Sequence, residues 1–241
     1  MIIFENKGEL DLRAIRTFGV SSKENPKSAI GYFGTGLKYA IAILLRTGHT
    51  VTLTTNGETY VFGTVDSQIR FDTFSIVTMN DTELGFTLDL GKDWETWMAF
   101  RELYSNTLDE DGAIFPARAR DDLEVRPGYT RIEVNGPEID ALFEKRDRYF
   151  LDKTRVHVVA AHNHVTVLEK QHKPAVGTVF YKGIRGAITN SPALYDYNFA
   201  GGVTLSEDRT IKSQWDISWN IPPVVTASKD EKFIAAMVTA P

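Results

Sequence analysis

The chain contains no cysteine, so disulfides and thiolate metal sites are excluded and the composition fits a reducing compartment. No apolar run approaches the ~20 residues that a membrane span requires. The start, Met1-Ile2-Ile3-Phe4-Glu5-Asn6, lacks the basic segment and apolar core of a secretory signal. A basic excess is missing too: 27 Lys and Arg stand against 32 Asp and Glu, with a net charge of −5. That balance gives nucleic-acid binding little support. There is no internal repeat and no low-complexity tract. These absences lead to the expectation of a cytoplasmic protein without a membrane partner.

What remains is ordinary globular composition: 241 residues, 42% of them hydrophobic, enough to bury a sizeable core. One stretch stands out, Ile30-Gly31-Tyr32-Phe33-Gly34-Thr35-Gly36-Leu37-Lys38-Tyr39-Ala40, followed by the apolar Ile41 to Leu45. Glycines so closely spaced do not suit a helix interior, where each costs about 1 kcal/mol relative to alanine. They suit a loop whose backbone comes close to a ligand. The apolar run reads as a helix, so the loop delivers free N–H groups to a helix N-terminus, an arrangement that binds anions. A tight connection with no ligand uses the same residues.

Around it, Ile2 to Phe4 reads as a buried strand, 11–18 as a short helix and the polar, proline-broken 20–29 as a surface loop. The period then changes to that of strands: 49–55 and 58–64 flank the hairpin signal Asn56-Gly57, and 69–78 pairs with 84–90. A helix follows over 93–109, with Trp94, Trp97, Met98, Phe100, Leu103, Tyr104 and Leu108 as its apolar stripe. Beyond it we expect a loop (110–128), a strand (130–134), a helix opened by Pro137 (137–150) and strands at 156–168 and 178–188. The remainder reads as irregular and aromatic. The expected division is 1–170 for an α/β sandwich and 171–241 for a β-rich extension.

On the 93–109 helix, Glu102 and Asn106 are four residues apart and share a face, with Asp109 nearly one turn further. A solvated polar strip opposite the tryptophans would look the same. Chemically, Asn106 offers a neutral oxygen to a hard cation such as Mg²⁺, and Glu102 is placed to take a proton from a water attacking a phosphate.

Together these residues carry a resemblance. Glu-x-x-x-Asn-x-x-Asp on one helix, with Ile-Gly-x-Phe-Gly-x-Gly-Leu-Lys opening another, resembles the ATP-binding domain of the gyrase, heat-shock chaperone, histidine kinase and mismatch-repair (GHKL) superfamily. Arg101-Glu102-Leu103-Tyr104-Ser105-Asn106 is similar to the N-box of the chaperone branch. Phe18-Gly19-Val20-Ser21-Ser22-Lys23 is similar to the lid of the microrchidia branch. The motifs cover roughly 1–112. Their order is that of a circular permutation, since the lid and second glycine box precede the N-box helix. The first glycine box, Asp-x-Gly-x-Gly-Met in the family, falls on Glu5-Asn6-Lys7-Gly8-Glu9-Leu10, with Glu5 in place of the aspartate and both glycine positions lost. Asp81-Thr82-Glu83-Leu84-Gly85-Phe86 matches those letters too but reads as a hairpin turn.

The resemblance implies a Bergerat-type α/β two-layer sandwich, circularly permuted, that binds ATP and ADP with Mg²⁺ and hydrolyses ATP slowly. Glu102 would be the general base and Asn106 the Mg²⁺ ligand. Gly31, Phe33, Gly34, Thr35, Gly36, Leu37 and Lys38 would cradle phosphate with Ser22 and Lys23 of the lid (20–32). Glu5, Asn6 and Asp109 would complete the nucleotide site with Thr52 or Thr54, placed by position on the strand after the glycine-box helix, and the lid would report nucleotide state to a protein partner or a second copy. The alternative is a regulatory or protein-interaction module on the same fold that holds nucleotide without turnover, or a pseudo-ATPase that has lost it and acts through a protein surface.

Three features are set aside. His157, His162, His164 and His172 cluster without the further ligand a zinc site needs. Trp94, Trp97, Trp215 and Trp219 read as core or interface residues, because no basic groove accompanies them. Leu205 to Thr210 reads as a polar, self-capping turn.

Overall fold

Apolar strands on both sides of the sequence's helical motifs assemble into two sheets in a computed structural model that describes residues 1–17, 35–118, 125–152, 154, 156–170, 175–206 and 210–240. The chain divides into two compact units, Met1–Glu144 and Lys145–Pro241. The division falls earlier than 170/171, because the strands expected at 156–168 pair inside the second unit's own sheet.

In the first unit the strands are β1 (Ile2–Lys7), β2 (Thr50–Thr55), β3 (Glu58–Ile69), β4 (Asp72–Met79), β5 (Thr82–Thr87), β6 (Ala113–Pro116) and β7 (Tyr129–Asn135). They form one seven-stranded sheet in the order β5-β4-β3-β2-β7-β1-β6, antiparallel at every pairing. The helices are α1 (Arg13–Arg16), α2 (Gly36–Arg46), α3 (Thr96–Asp109) and α4 (Ile139–Glu144). The α/β character with a large antiparallel sheet is as expected.

α2 packs on β2 and β3, α3 on β1 and β6, and the two helices pack on each other. Phe4 meets Phe100 edge-on at 5.9 Å, so the rung Leu53–Ile132–Phe4 faces the helices. The neighbouring rung Thr54–Arg131–Glu5 therefore faces the other way, since successive side chains alternate. Arg46, in the last turn of α2, donates to the carbonyls of Leu88, Leu90, Gly91 and Trp94 and fixes the segment that leads into α3. Tyr39 stacks on Trp94 at 4.9 Å. Several bounds differ from expectation. β3 runs on to Ile69 and turns back through Arg70-Phe71 into β4, so the expected end at Thr64 is corrected. α1 starts at Arg13, because Asp11 accepts the Arg13 N–H and guanidinium and holds a turn there. α4 stops at Glu144, far short of 150.

The second unit holds β8 (Val158–His162), β9 (Val165–Leu168), β10 (Val176–Tyr181), β11 (Ile184–Pro192) and β12 (Asp196–Phe199), in the order β11-β10-β12-β9-β8. Only β10 and β12 run parallel. α5 (Gln214–Asn220), α6 (Pro222–Ala227) and α7 (Glu231–Thr239) replace the irregular tail expected there. Val165, Val167, Val179, Tyr197 and Phe199 of the sheet pack with Ile217, Val224 and Phe233 of the three helices. Asp230 caps α7 by accepting from the Lys232 and Phe233 N–H groups. Burial raises the Tyr197 phenol to about 12.

Candidate functional site

Thr35 precedes α2, and its carbonyl accepts from the Lys38 and Tyr39 N–H groups. Gly36 and Leu37 form the first turn, where backbone amides have no acceptor within the helix. Gly31, Phe33, Gly34, Ser22, Lys23 and the expected lid 20–32 lie outside the described residues, as does His172. Lys38 is buried, and its ammonium donates to the Ala14 carbonyl at 2.7 Å, tying α2 to α1; desolvation lowers its pKa.

On α3, Glu102 is 1% exposed and its Oε1 lies 3.4 Å from Nη2 of the buried Arg101. The Arg101 guanidinium sits over Trp97 at 5.2 Å and Trp94 at 5.7 Å, an arrangement that favours a planar cation. Asn106 and Asp109 follow on the same helix face, half-buried. Glu102 is thus withdrawn from water, whereas a merely solvated polar strip would have left it exposed.

β1 separates the two residues that sequence had grouped. Glu5 lies on the face away from the helices, where Arg131 donates to its Oε2 from Nε and Nη2, and Arg126 approaches its Oε1 at 3.1 Å. Thr54 is on that face too, its Oγ1 3.1 Å from that of Thr59. Neither shares a face with Gly36, Glu102 or Asn106. Period-two alternation turns Glu5 and Thr54 to the opposite face.

Asn6 faces the helices. Its Nδ2 donates to Glu110 just past α3, and its Oδ1 is buried with no hydrogen-bond partner among the described residues. Thr130 is its cross-strand neighbour, and the Thr55 and Thr130 hydroxyls are 3.0 Å apart, so Asn6, Thr130 and Thr55 make one polar rung. The Leu10 N–H donates to both threonines and Thr130 donates to the Gly8 carbonyl, which holds the 8–10 segment over that rung. Sequence reasoning missed Thr55 and Thr130. The signal was there: Thr55 shares its parity with buried Val51 and Leu53.

The rival Asp81 to Phe86 contains the β4–β5 turn, with positive φ at Asn80 and Asp81. In the second unit, His157 lies 3.4 Å from Glu169, and His164 shares a hydrogen bond of 2.8 Å with the Asn220 Oδ1. Among the described residues no group of three or more His, Asp or Glu is placed to hold a metal ion. Trp215 and Trp219 are not core residues; they lie largely exposed on α5 and stack on each other at 5.8 Å. No helix among the described residues is long and apolar enough to cross a membrane. No family model, curated protein or solved structure matches the chain.

Proposed function

We propose that the first unit binds ATP with Mg²⁺ on the helix-covered face of its sheet, as a circularly permuted relative of the GHKL ATP-binding domains with a Bergerat-type fold. The observation that carries this reading is the side-by-side packing of α2, which opens on Gly36, against α3, which bears Glu102, Asn106 and Asp109. A phosphate cradle and a carboxylate–carboxamide pair on adjoining helices of one sheet face is what phosphoryl chemistry needs. In this reading the amides of the glycine loop and of Gly36 and Leu37 hold phosphate. Asn106 supplies one neutral oxygen to Mg²⁺; phosphate oxygens and water fill its other positions, so no cluster of protein carboxylates is required. Base recognition moves from Glu5 to Asn6, whose buried Oδ1 is an acceptor on the helix-side face.

Glu102 is the general base of a slow hydrolysis, cytoplasmic nucleotide state being passed to a protein partner through the lid. A second reading, nucleotide binding without turnover, is favoured by one feature. Glu102 is closed off from bulk water, and its Oε1 is engaged by the buried Arg101 guanidinium instead of facing an open site.

Isothermal titration with Mg·ATP and Mg·ADP tests the site: no heat of binding at millimolar nucleotide overturns both readings. Where binding is seen, phosphate release by wild type and Glu102→Ala separates them. Equal rates remove Glu102 from catalysis and leave the binding module.

A further inference from the structure

Past its contacts with β2, strand β3 pairs with β4 alone; β5 holds the far edge of β4 as far as Ser75, so Ser67–Ile69 and Asp72–Phe74 form a two-stranded tip. β2 pairs with β3 only from Glu58 to Val61, whereas β4 pairs with it without a register shift from Phe62 to Ile69. Val65, Ser67 and Ile69 lie on one face with their cross-strand neighbours Ile76, Phe74 and Asp72, a mainly apolar set, while Thr64, Asp66 and Gln68 lie on the other with Val77, Ser75 and Thr73, and Ser75 donates to Asp66. Val65 is 42% exposed and Ile69 51%, and Phe71 at the tip is 97% exposed. A two-stranded ribbon is at best marginally stable in water by itself.

The other two edges of this sheet carry protective features. β6 is short and ends in Pro116, and β5 meets β4 through a register shift. Residues 64–69 of β3 contain no lysine, no proline and no bulge, and among the described residues no strand pairs with their outer edge.

We propose that this edge is a self-association surface, on which Val65–Ile69 of two copies pair antiparallel about a two-fold axis at Ser67. The residues select this arrangement. Centred on Ser67, Val65 lies opposite Ile69 of the second copy and Asp66 opposite Gln68, so apolar meets apolar and no like charges face. Shifting the centre to Asp66, or pairing the strands parallel in register, sets Asp66 against Asp66. Pairing about a two-fold consumes the open edge of both copies, so edge-to-edge growth stops at the dimer. This association does not depend on nucleotide.

The test uses the full chain, its mass followed by light scattering over a concentration series. The expected wild-type species has twice the 27.0 kDa of one chain. Val65→Lys with Ile69→Lys is expected to return it to one chain with unchanged circular dichroism. Because the chain has no cysteine, Ser67→Cys adds a lone thiol, and antiparallel neighbours about 4.5–5.5 Å apart lie within disulfide reach. Diamide oxidation should then give a dimer band on a non-reducing gel, and Thr226→Cys in the second unit should not. A 27.0 kDa species at every concentration overturns the proposal and leaves the edge to a different protein. A dimer indifferent to the two lysines, or a Ser67→Cys chain that does not cross-link, overturns it as well.

Discussion

Arg131 reaches across from β7 and donates to a single oxygen of Glu5 on β1, from Nε at 3.0 Å and Nη2 at 2.6 Å, with both side chains buried. The two residues are direct cross-strand partners, and Thr54 completes their rung. A buried ion pair need not stabilise a fold relative to an apolar pair, but removing one member leaves the other charge without compensation. Arg131→Met should therefore cost about 3–5 kcal/mol, partly relieved by Arg126, which also approaches Glu5. Glu5→Leu combined with Arg131→Met should recover most of the loss. Urea denaturation midpoints of the single and double variants check this, and equal destabilisation by both would refute it.

The same alternation separates structure from ligand in β1. Glu5→Gln should leave nucleotide affinity unchanged within twofold, because its side chain faces away from α2 and α3. Asn6→Ala should weaken Mg·ATP binding about tenfold, a loss near 1.4 kcal/mol, by removing the acceptor proposed for the base. Titration calorimetry of the two variants decides it. The reverse order of effects would restore Glu5 as the base-reading residue.

Why the sequence does not show which way Glu5 points can be stated physically. Ile2, Ile3 and Phe4 are all buried, so β1 shows no polar–apolar alternation from which a face could be read. Only pairing with β7 and the Phe4–Phe100 contact fix which residues point at the helices. The Glu102–Asn106–Asp109 arrangement was legible because helical periodicity is local and needs no partner. The β3 extension was not: Arg70-Phe71 has no glycine or asparagine to mark a turn, although Arg70 adopts φ +60°. The three C-terminal helices were hidden by Pro222-Pro223, which reads as a breaker but opens α6 at its first turn.

His49 links α2 to β2, and its ring is buried against Gly136, with Nδ1 3.0 Å from the Thr47 Oγ1 and no partner on Nε2 among the described residues. Burial pushes its pKa below the ordinary value; the Leu44 backbone beside the ring and the Glu138 charge oppose this only in part. The unfolded chain then binds a proton more readily than the folded one. Stability is full above about pH 6.5, the unfolded value, and falls as the pH drops below it. The denaturation midpoint measured between pH 8 and pH 5 should show this fall in wild type and a shallower one in His49→Leu. Identical profiles would remove His49 as the cause.

Gly112 offers a test of how tightly α3 is set on β1. A Cβ there would come within 2.2 Å of the Asn6 Oδ1, 2.5 Å of the Glu5 carbonyl oxygen and 2.7 Å of the Thr107 Cγ2. The Glu5 carbonyl is backbone within the sheet and cannot yield, so the chain after α3 must move. Gly112→Ala should cost about 1–3 kcal/mol, the range of overpacked sites. At Gly128 the situation is reversed: φ is +76° and nothing lies within 4 Å, so Gly128→Ala meets only conformational strain of about 1–2 kcal/mol. The two variants should differ in kind as well as in amount. Gly112→Ala displaces Asn6 and should lower Mg·ATP affinity along with the urea midpoint, whereas Gly128→Ala should lower the midpoint alone. Loss of affinity in both variants, or in neither, would detach Asn6 from the nucleotide site.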